Sequence, residues 1–573
     1  MSKNSDATIA LLEKHFDIAF AAPDGIKKLR ELISSLAMQG KLVPQDPKDQ
    51  PASELLKEIE AEKERLIKDG KIKKSKPLLE IKPDEVPYKL PKSWEWVRLG
   101  NFGTWKSGTT PSRTNHAYYG GEIPWVKSGE VKQGRIRDTE EKITYEALQN
   151  CSLELNSIGS VLVAMYGANI GEVGVLEIEA TTNQAVCACK TFLVIDNIFL
   201  LHLITSLKQN FLTQGAGAAQ PNISREKIIN TVVPLPPLAE QRRIVAKIDE
   251  LMTRCDELER LRGDRDRKQI TVHTAALNRL LMAKEQSDFN TAWQFITQHF
   301  SELYSVKENV SELRKAILQL AVMGKLVPQD PLDVPAAILL KEIRKRVNEL
   351  VYQKEEREIK FEPINAEDEA FLLPESWLWV RLGSLLQNIK YGTAKKCAYD
   401  SPGTAVLRIP NINVEDGCID VKNLKYTHLS EAELKELYLK PFDLLIIRSN
   451  GSESLVGRSA VVSETEEGLA YAGYLVRLRL FSEYAYSPYI CHAFNTLFVR
   501  KQIEQPLRTT SGVKNINSKE IANLLLPLPS FPEQRRIVAE IDKLMVLCDN
   551  LEKQIDSANS KQTDLLNAVI TKI

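Results

Sequence analysis

Three stretches of this chain occur twice, in the same order and at a nearly constant spacing. Gly40-Lys41-Leu42-Val43-Pro44-Gln45-Asp46-Pro47 returns letter for letter as Gly324 to Pro331, an offset of 284 (324 − 40). It lies inside a longer match between Leu29-Arg30-Glu31-Leu32-Ile33 and Leu313-Arg314-Lys315-Ala316-Ile317. Leu90-Pro91-Lys92-Ser93-Trp94-Glu95-Trp96-Val97-Arg98-Leu99-Gly100 returns as Leu373 to Gly383 at an offset of 283 (373 − 90), and Glu240-Gln241-Arg242-Arg243-Ile244-Val245-Ala246 as Glu533 to Ala539 at 293 (533 − 240). Ordered repeats at a fixed offset expose architecture without any alignment. The repeated unit is a helical segment, a Trp-initiated domain and a second helical segment.

Between these landmarks the similarity fades to a skeleton. Gly134-Arg135-Ile136 aligns with Gly417-Cys418-Ile419, and Val173-Gly174 with Val456-Gly457, whereas Asn222-Ile223 aligns with Asn515-Ile516 at the longer offset. The second copy therefore carries extra residues before Asn515, and insertions of that kind fall in surface loops that alter what a domain touches. The two middles read as one fold with different surfaces. At 573 residues the chain is too long for one core. The repeats predict a helical region at 1–90, a first domain at 91–235, a central helical region at 236–373, a second domain at 374–528 and a C-terminal helix at 529–573.

The flanks of the domains carry a helical rhythm. Ile244, Ile248, Leu251, Cys255 and Leu258 are spaced four, three, four, three, and Ile537, Ile541, Leu544, Cys548 and Leu551 repeat that rhythm, which Ile555 and Ala558 continue. This is an a/d seam, the pattern of a helix packed lengthwise against another helix. Ser530-Phe531-Pro532-Glu533 reads as a capping box with Pro in the first turn, so Ser530 and Glu533 are expected to satisfy the first amides. The segments Leu29 to Met38, Leu313 to Met323, Ala52 to Lys68 and Pro335 to Glu356 also read as helices; individual charges in the last two read as solvated faces. If the N-terminal 90 residues pack against the C-terminal helix, the chain closes into a pseudo-two-fold object with a domain at the end of each of two antiparallel spacers. A helix of about 30 residues spans roughly 45 Å, more than one turn of DNA, about 34–36 Å. Such geometry suits recognition of a split DNA site with unlike halves.

Bulk electrostatics does not announce a nucleic-acid partner. Lys+Arg number 76 against Asp+Glu 76, so DNA affinity has to arise from local basic patches or be shared with partners. The chain shows no apolar run of membrane-spanning length and no secretory signal, which points to the cytoplasm. Eight cysteines are scattered, and the one close pair, Cys187 and Cys189, has no second pair at metal-site spacing. No metal site is expected.

The family resemblance rests on particular residues. Pro234-Leu235-Pro236-Pro237-Leu238-Ala239-Glu240-Gln241-Arg242-Arg243-Ile244-Val245 and its partner Pro527 to Val538 resemble the domain-to-helix junction of type I restriction-modification specificity (S, HsdS) subunits. Ser107-Gly108-Thr109-Thr110-Pro111-Ser112, Tyr118-Tyr119-Gly120-Gly121 and Ile123-Pro124-Trp125-Val126 resemble the opening of a recognition domain in that family. With the duplication, the resemblance covers nearly the whole chain. The long N-terminal extension resembles one branch of the family. The fold implied is α+β: two similar α/β target-recognition domains separated by long antiparallel coiled-coil helices, in a pseudo-two-fold internal duplication. The partners implied are double-stranded DNA, two modification (methyltransferase) subunits and restriction (translocase and nuclease) subunits. No cofactor is expected on this chain; S-adenosylmethionine, ATP and Mg2+ belong to the partner subunits.

Direct readout needs hydrogen-bonding side chains on loops that enter a major groove, with Lys, Arg, Ser and Thr on phosphates. In the first domain the basic stretch Trp105 to Arg137 offers Ser107, Thr109, Thr110, Ser112, Arg113, Asn115 and Lys127 as candidate contacts, and the Gly-rich segment Gly215 to Ser224 adds Gln220 and Asn222. In the second domain the candidates are Tyr391, Thr393, Lys395, Lys396, Arg408, Asn411 and Asn413, with Lys514 and Asn515 on Thr509 to Asn517. For each of them the alternative is an ordinary solvated side chain.

Enzyme signals are weak. Gly451-Ser452-Glu453-Ser454-Leu455-Val456-Gly457-Arg458-Ser459 has one residue too many between its glycines, and arginine where a phosphate loop needs lysine. The seven histidines are dispersed, and no Asn/Asp-Pro-Pro-aromatic motif of an amino-methyltransferase is present. Catalysis is expected from partners. Two other readings stand beside the leading one: a coiled-coil scaffold without sequence-specific DNA contact, and a self-contained nuclease or methylase.

Overall fold

The structure, a computed structural model, describes residues 21–74, 76–215, 222–505, 508–510 and 513–572. It mixes helix and sheet and divides into two compact units, Met1–Gly263 with Asn559–Ile573, and Asp264–Ala558. No described helix is long and apolar enough to cross a membrane.

In the first unit, helices Gly25–Met38 and Ala52–Lys68 precede a sheet domain. Its first strand, Glu95–Arg98, pairs antiparallel with its last, Val232–Leu235, so the chain enters and leaves at one place. Between them lies a five-stranded sheet in the spatial order Gly103–Ser107, Val186–Thr191, Val161–Ala164, Val173–Leu176, Arg135–Ile136. A smaller sheet sets Tyr119–Val126 between Lys142–Ile143 and Thr181–Thr182. Val161–Ala164 and Val173–Leu176 are buried along their whole length, which is why they read as continuous apolar runs rather than alternating ones.

The second unit repeats these relations. Leu378–Arg381 pairs antiparallel with Leu525–Leu528. A four-stranded sheet runs Leu386–Tyr391, Leu475–Leu480, Leu444–Ile447, Ser459–Val461, and a three-stranded one sets Thr404–Leu407 between Lys425–Thr427 and Ala470–Tyr471. A strand pair absent from the described part of the first unit, Arg508–Thr510 with Val513–Asn515, lies beside Ser449–Asn450.

The three repeated motifs meet at one joint in each unit. Trp94 Nε1 donates to Glu240 at 2.9 Å, and the Gln45 amide donates to the same carboxylate. Gln241 accepts the Asp196 N–H at 2.9 Å and donates to the Pro236 carbonyl at 3.0 Å, while Arg243 grips Asp49 at 2.6 Å. In the second unit Trp377 donates to Glu533 at 2.9 Å and Gln329 donates to it at 3.1 Å. There Gln534 accepts from Tyr486 N–H at 2.7 Å, and Arg536 grips Asp333 at 2.6 Å. Glu240 and Gln241 are fully buried, as are Glu533 and Gln534 to within 1%. Burial pushes both carboxyls upward from the ordinary range. Gly40 and Gly324 turn the chain here with φ near +68° and +67°, and a Cβ on either would stand 2.5 Å from the ring of Pro91 or Pro374. Gly-Lys-Leu-Val-Pro-Gln-Asp-Pro, Leu-Pro-x-Ser-Trp and Glu-Gln-Arg-Arg thus recur together because they form one hydrogen-bonded assembly.

The capping box is half made. Ser530 Oγ accepts the Glu533 N–H at 3.2 Å, but the Glu533 carboxylate turns inward to Trp377 instead of back to the first amide. A buried indole N–H needs an acceptor, and the Glu533 carboxylate supplies it.

From these joints run helices Leu238–Met282 and Phe531–Lys572, of 45 and 42 residues, about 68 and 63 Å long. Both outrun the seam. Ile244, Ile248 and Cys255 are buried and Leu251 half-buried against helices Gly25–Met38 and Ala52–Lys68, through Ile33, Ala37 and Ile59. Leu258, placed on the seam by its spacing, is 42% exposed. By that turn the contact with Gly25–Met38 has become ionic, Arg30 pairing with Asp256 and Glu259. Ile537, Ile541 and Cys548 are buried and Leu544 and Leu551 half-buried in the second core, with Ile317, Leu320 and Ile343. Arg314 there pairs with Asp549 and Glu552, at the positions of Arg30, Asp256 and Glu259. Within the first unit, Leu566 and Ile570 near the C-terminus pack against Ala22 and Leu29.

Candidate nucleic-acid interface

The same backbone frame carries the candidate loops of both domains. Gly108 lies so close to the neighbouring strand that a Cβ would stand 2.1 Å from the Thr182 carbonyl, and Gly392 likewise 2.3 Å from Tyr471 O and Ala472 O. The next residue then donates across the gap, Thr109 N–H to Thr182 O at 3.0 Å and Thr393 N–H to Tyr471 O at 2.8 Å. Met165 donates to Ala185 O and accepts from Ile223 N–H. Arg448 donates to Tyr474 O and accepts from Ile516 N–H. Tyr166 bridges Asn222 as Ser449 pairs with Asn515.

On the first frame, Ser107 is exposed at the end of its strand opposite Cys187. The Thr109 carbonyl accepts from Trp125 Nε1 at 3.2 Å, Thr110 bonds the Gln184 side chain, and Ser112 and Thr114 share a hydroxyl contact of 2.7 Å. Asn115 accepts the Ala117 N–H at 3.1 Å and caps a short turn. Arg113 stacks over Tyr119 and Trp125, its Cζ 4.5 and 5.2 Å from their rings. The structure also brings Arg113 to Glu141 at 2.7 Å, and Lys127 to Glu140 at 2.9 Å and Glu141 at 3.2 Å. The Arg113 hydrogen bond, then that of Lys127, holds the Glu141 carboxyl below its ordinary value. Three other cations of the basic stretch are paired too: Lys106 with Glu154, and Arg135 and Arg137 with Glu177. Asn222 stands where its segment meets Tyr166, and Gln220 lies outside the described residues.

The second domain gathers its candidates into two clusters. Tyr391, Thr393, Lys514 and Asn515 converge around Arg448. The Arg448 guanidinium lies 4.6 Å over the Tyr391 ring, and the Tyr391 hydroxyl accepts the Ser518 N–H at 2.9 Å. Lys514 pairs with Glu453 at 2.9 Å. Lys395, just after Thr393, pairs with Glu433 at 2.7 Å, and this bond with the Ser430 amide holds the Glu433 carboxyl at about 2. Lys396 is exposed beside it.

The other cluster centres on Tyr399, over which Arg408 and Lys425 stand at 5.6 and 4.9 Å. Asn411 is 2% exposed, and its amide is engaged with Asp420 O, Lys422 O and Arg408 N–H, so it fastens the turn from within. Asn413 is tied to Asp416 and Glu415 N–H. Sequence reasoning named Arg408 but did not single out Tyr399, Lys425, Arg448 or Tyr474, which the structure places beside the candidates. The position of Arg448 had a signal: a charge directly after the buried run Leu444–Ile447 marks the end of a core strand.

Chemically, these loops offer cations placed over aromatic rings, amides at sheet ends and hydroxyls, a set suited to base edges and phosphates. Among the described residues no group of three His, Cys, Asp or Glu side chains is arranged to hold a metal ion.

Comparison with known proteins agrees with this chemistry. Residues 91–264 match the type I restriction modification DNA specificity domain. The chain is 33% identical to the EcoAI specificity subunit of Escherichia coli, across 95% of this chain and 93% of that protein. It is 31% identical to the EcoEI specificity subunit of Escherichia coli over the same shares. Among solved structures it resembles the HsdS subunit of Thermoanaerobacter tengcongensis, with a TM-score of 0.41 and 19% identity over 84% of this chain and 98% of that one.

Proposed function

Because this chain belongs to the specificity subunits of type I restriction enzymes, we propose that it reads a bipartite, asymmetric DNA site, one half-site with each sheet domain. It is a DNA sequence-specificity subunit of a restriction-modification system. In our reading it directs methylation by two modification subunits and cleavage by restriction subunits. S-adenosylmethionine, ATP and Mg2+ would then be handled by those partners, and the chemistry would be theirs. We assign the spacing of the half-sites to the helical regions, paired as antiparallel coiled coils in a pseudo-two-fold chain. The domain limits are those of the repeats, 91–235 and 374–528 for the readers.

One observation carries this reading. The two domains share a frame down to single hydrogen bonds at Gly108/Gly392, Thr109/Thr393 and Met165/Arg448, yet side chains at and beside that frame differ, Ser107 against Tyr391, Thr110 against Ala394 and Met165 against Arg448. A common frame with unlike surfaces is what two different half-sites require.

The test is to mix the purified chain with modification subunits and map methylation on a DNA library. Methylation confined to one split site with unlike halves is expected. Assembly without sequence-selective methylation would favour a scaffold, and DNA cleavage or methylation by the chain alone would favour a self-contained enzyme; either result overturns the proposal.

A further inference from the structure

Most cations on the candidate loops already have carboxylate partners: Arg113 and Lys127 with Glu141, Lys395 with Glu433, Lys514 with Glu453. Among the described residues Lys396 and Arg408 pair with no carboxylate either, and Arg408 also has a buried Nε without a partner, but its guanidinium is held by the Asn423 carbonyl; Arg448 differs from both. Among the described residues no carboxylate pairs with it, and its Nε is buried without a hydrogen-bond partner. A buried donor without an acceptor is uncommon in folded chains. The guanidinium is nevertheless fixed in orientation, lying 4.6 Å over a Tyr391 ring that is itself anchored through its hydroxyl to Ser518. Backbone bonds to Tyr474 O and from Ile516 hold Arg448 between two loops. The neighbouring Tyr474 and Tyr391 are 62% and 41% exposed.

The other domain supplies the contrast. Its frame position with the same two backbone bonds holds Met165, which is 3% exposed and packs into the core. One frame therefore offers an oriented, unneutralised guanidinium where the other offers an apolar side chain.

We infer that Arg448 is a specificity-determining residue that reads a guanine of the half-site bound by the second domain. The inference rests on the proposed bipartite reading. Arginine in a fixed plane matches the O6 and N7 acceptors of guanine bidentately, whereas a phosphate contact asks only for positive charge. Stacking on tyrosine keeps that plane before DNA arrives, which lowers the ordering cost of the contact.

The test uses the full chain carrying Arg448→Met assembled with modification subunits, on DNA libraries randomised at each half-site. Met at this position is already tolerated by the frame of the other domain. Discrimination for guanine at one position of one half-site should fall about tenfold or more, with the other half-site and the spacing unchanged. Arg448→Lys, which keeps the charge but not the planar fork, should lose part of that discrimination. Unchanged discrimination in either variant overturns the inference, as does a uniform loss over all sequences with a shallower salt dependence, the mark of a phosphate contact. If the unmutated complex itself shows no bipartite preference, the proposed function fails first and this inference with it.

Discussion

The buried carboxylate of each joint should be worth more as an acceptor than as a charge. Glu533 is 1% exposed and accepts from Trp377 at 2.9 Å and Gln329 at 3.1 Å. Glu533→Ala strands both donors in a buried site. Hydrogen bonds to charged groups contribute about 1.5–3 kcal/mol each, and orphaned buried donors cost about 1–3 kcal/mol each. Two such losses, partly relieved where Gln329 can turn to solvent, give about 3–5 kcal/mol. Glu533→Gln keeps an oxygen for Trp377 and removes the desolvation cost of a buried charge, so it should cost about 1 kcal/mol or less. The same ordering should hold for Glu240, whose partners are Trp94 and Gln45. Urea unfolding of the full chain, with midpoints compared at constant slope, measures both. The pH dependence adds a sign. Burial raises the Glu533 carboxyl above its unfolded value, so the folded chain binds that proton more readily. The cost of the charge is then full above the folded value and relieved as pH falls towards it. Relative to Glu533→Gln, the unmutated chain should gain stability on acidification from neutral pH. An Ala variant within about 1 kcal/mol of the unmutated chain, the lower bound for a lost buried acceptor, would refute the reasoning, as would a Gln variant worse than Ala.

Gly40→Ala and Gly324→Ala should each lose about 2–3 kcal/mol in the same assay, from left-handed backbone strain compounded by the proline at 2.5 Å. Gly120→Ala, with φ +79° and open space around it, should lose only the strain, about 1–2 kcal/mol, and equal losses at all three sites would remove the close approach as a cause. Glu433, held at about 2 by Lys395 and the Ser430 amide, contributes stability that is present above the ordinary carboxylate value and lost as pH falls through about 2. Lys395→Ala should move its carboxyl resonance midpoint upward in an NMR titration; an unmoved midpoint would assign the depression to the Ser430 turn alone. Glu141→Gln releases Arg113 from its carboxylate while Lys127 keeps Glu140, so non-specific DNA affinity read by fluorescence anisotropy at low salt should rise about two-fold or more, with a steeper salt dependence. An unchanged slope would place Arg113 off the phosphate path.

Much of the architecture was legible because the joint uses its residues locally and repeats them. Glu240, Gln241 and Arg243 lie within one turn of helix; Glu240 bonds both other repeated motifs through Trp94 and Gln45, and Arg243 grips Asp49 two residues past one of them. The helix seams were legible through their period, up to Leu258, where ionic contacts from Arg30 replace apolar ones. The candidate interface was less so. Arg113 and Lys127 announce a basic patch, but the carboxylate that engages them, Glu141, comes from a neighbouring segment that no local pattern connects to them. Asn411 has the look of a base reader and fastens its own turn instead, because three groups of that turn exhaust its amide. Arg448 was hidden for the opposite reason: its setting depends on Tyr391, 57 positions earlier (448 − 391), and on there being no carboxylate paired with it among the described residues, which only packing reveals.

This distribution of charge bears on how a chain with 76 basic and 76 acidic residues can recognise a polyanion. Where loop cations are paired with Glu141, Glu433 and Glu453, binding a phosphate means exchanging one anion for another, and the net gain is smaller than for a free cation. Non-specific affinity is thereby held down, since it arises from phosphate contacts. A bidentate base contact is not reduced in the same way when its guanidinium has no carboxylate to give up, as at Arg448. Pairing most cations while leaving an oriented one unpaired therefore raises the ratio of specific to non-specific binding, and that ratio, rather than affinity alone, is what selects a site among many competitors.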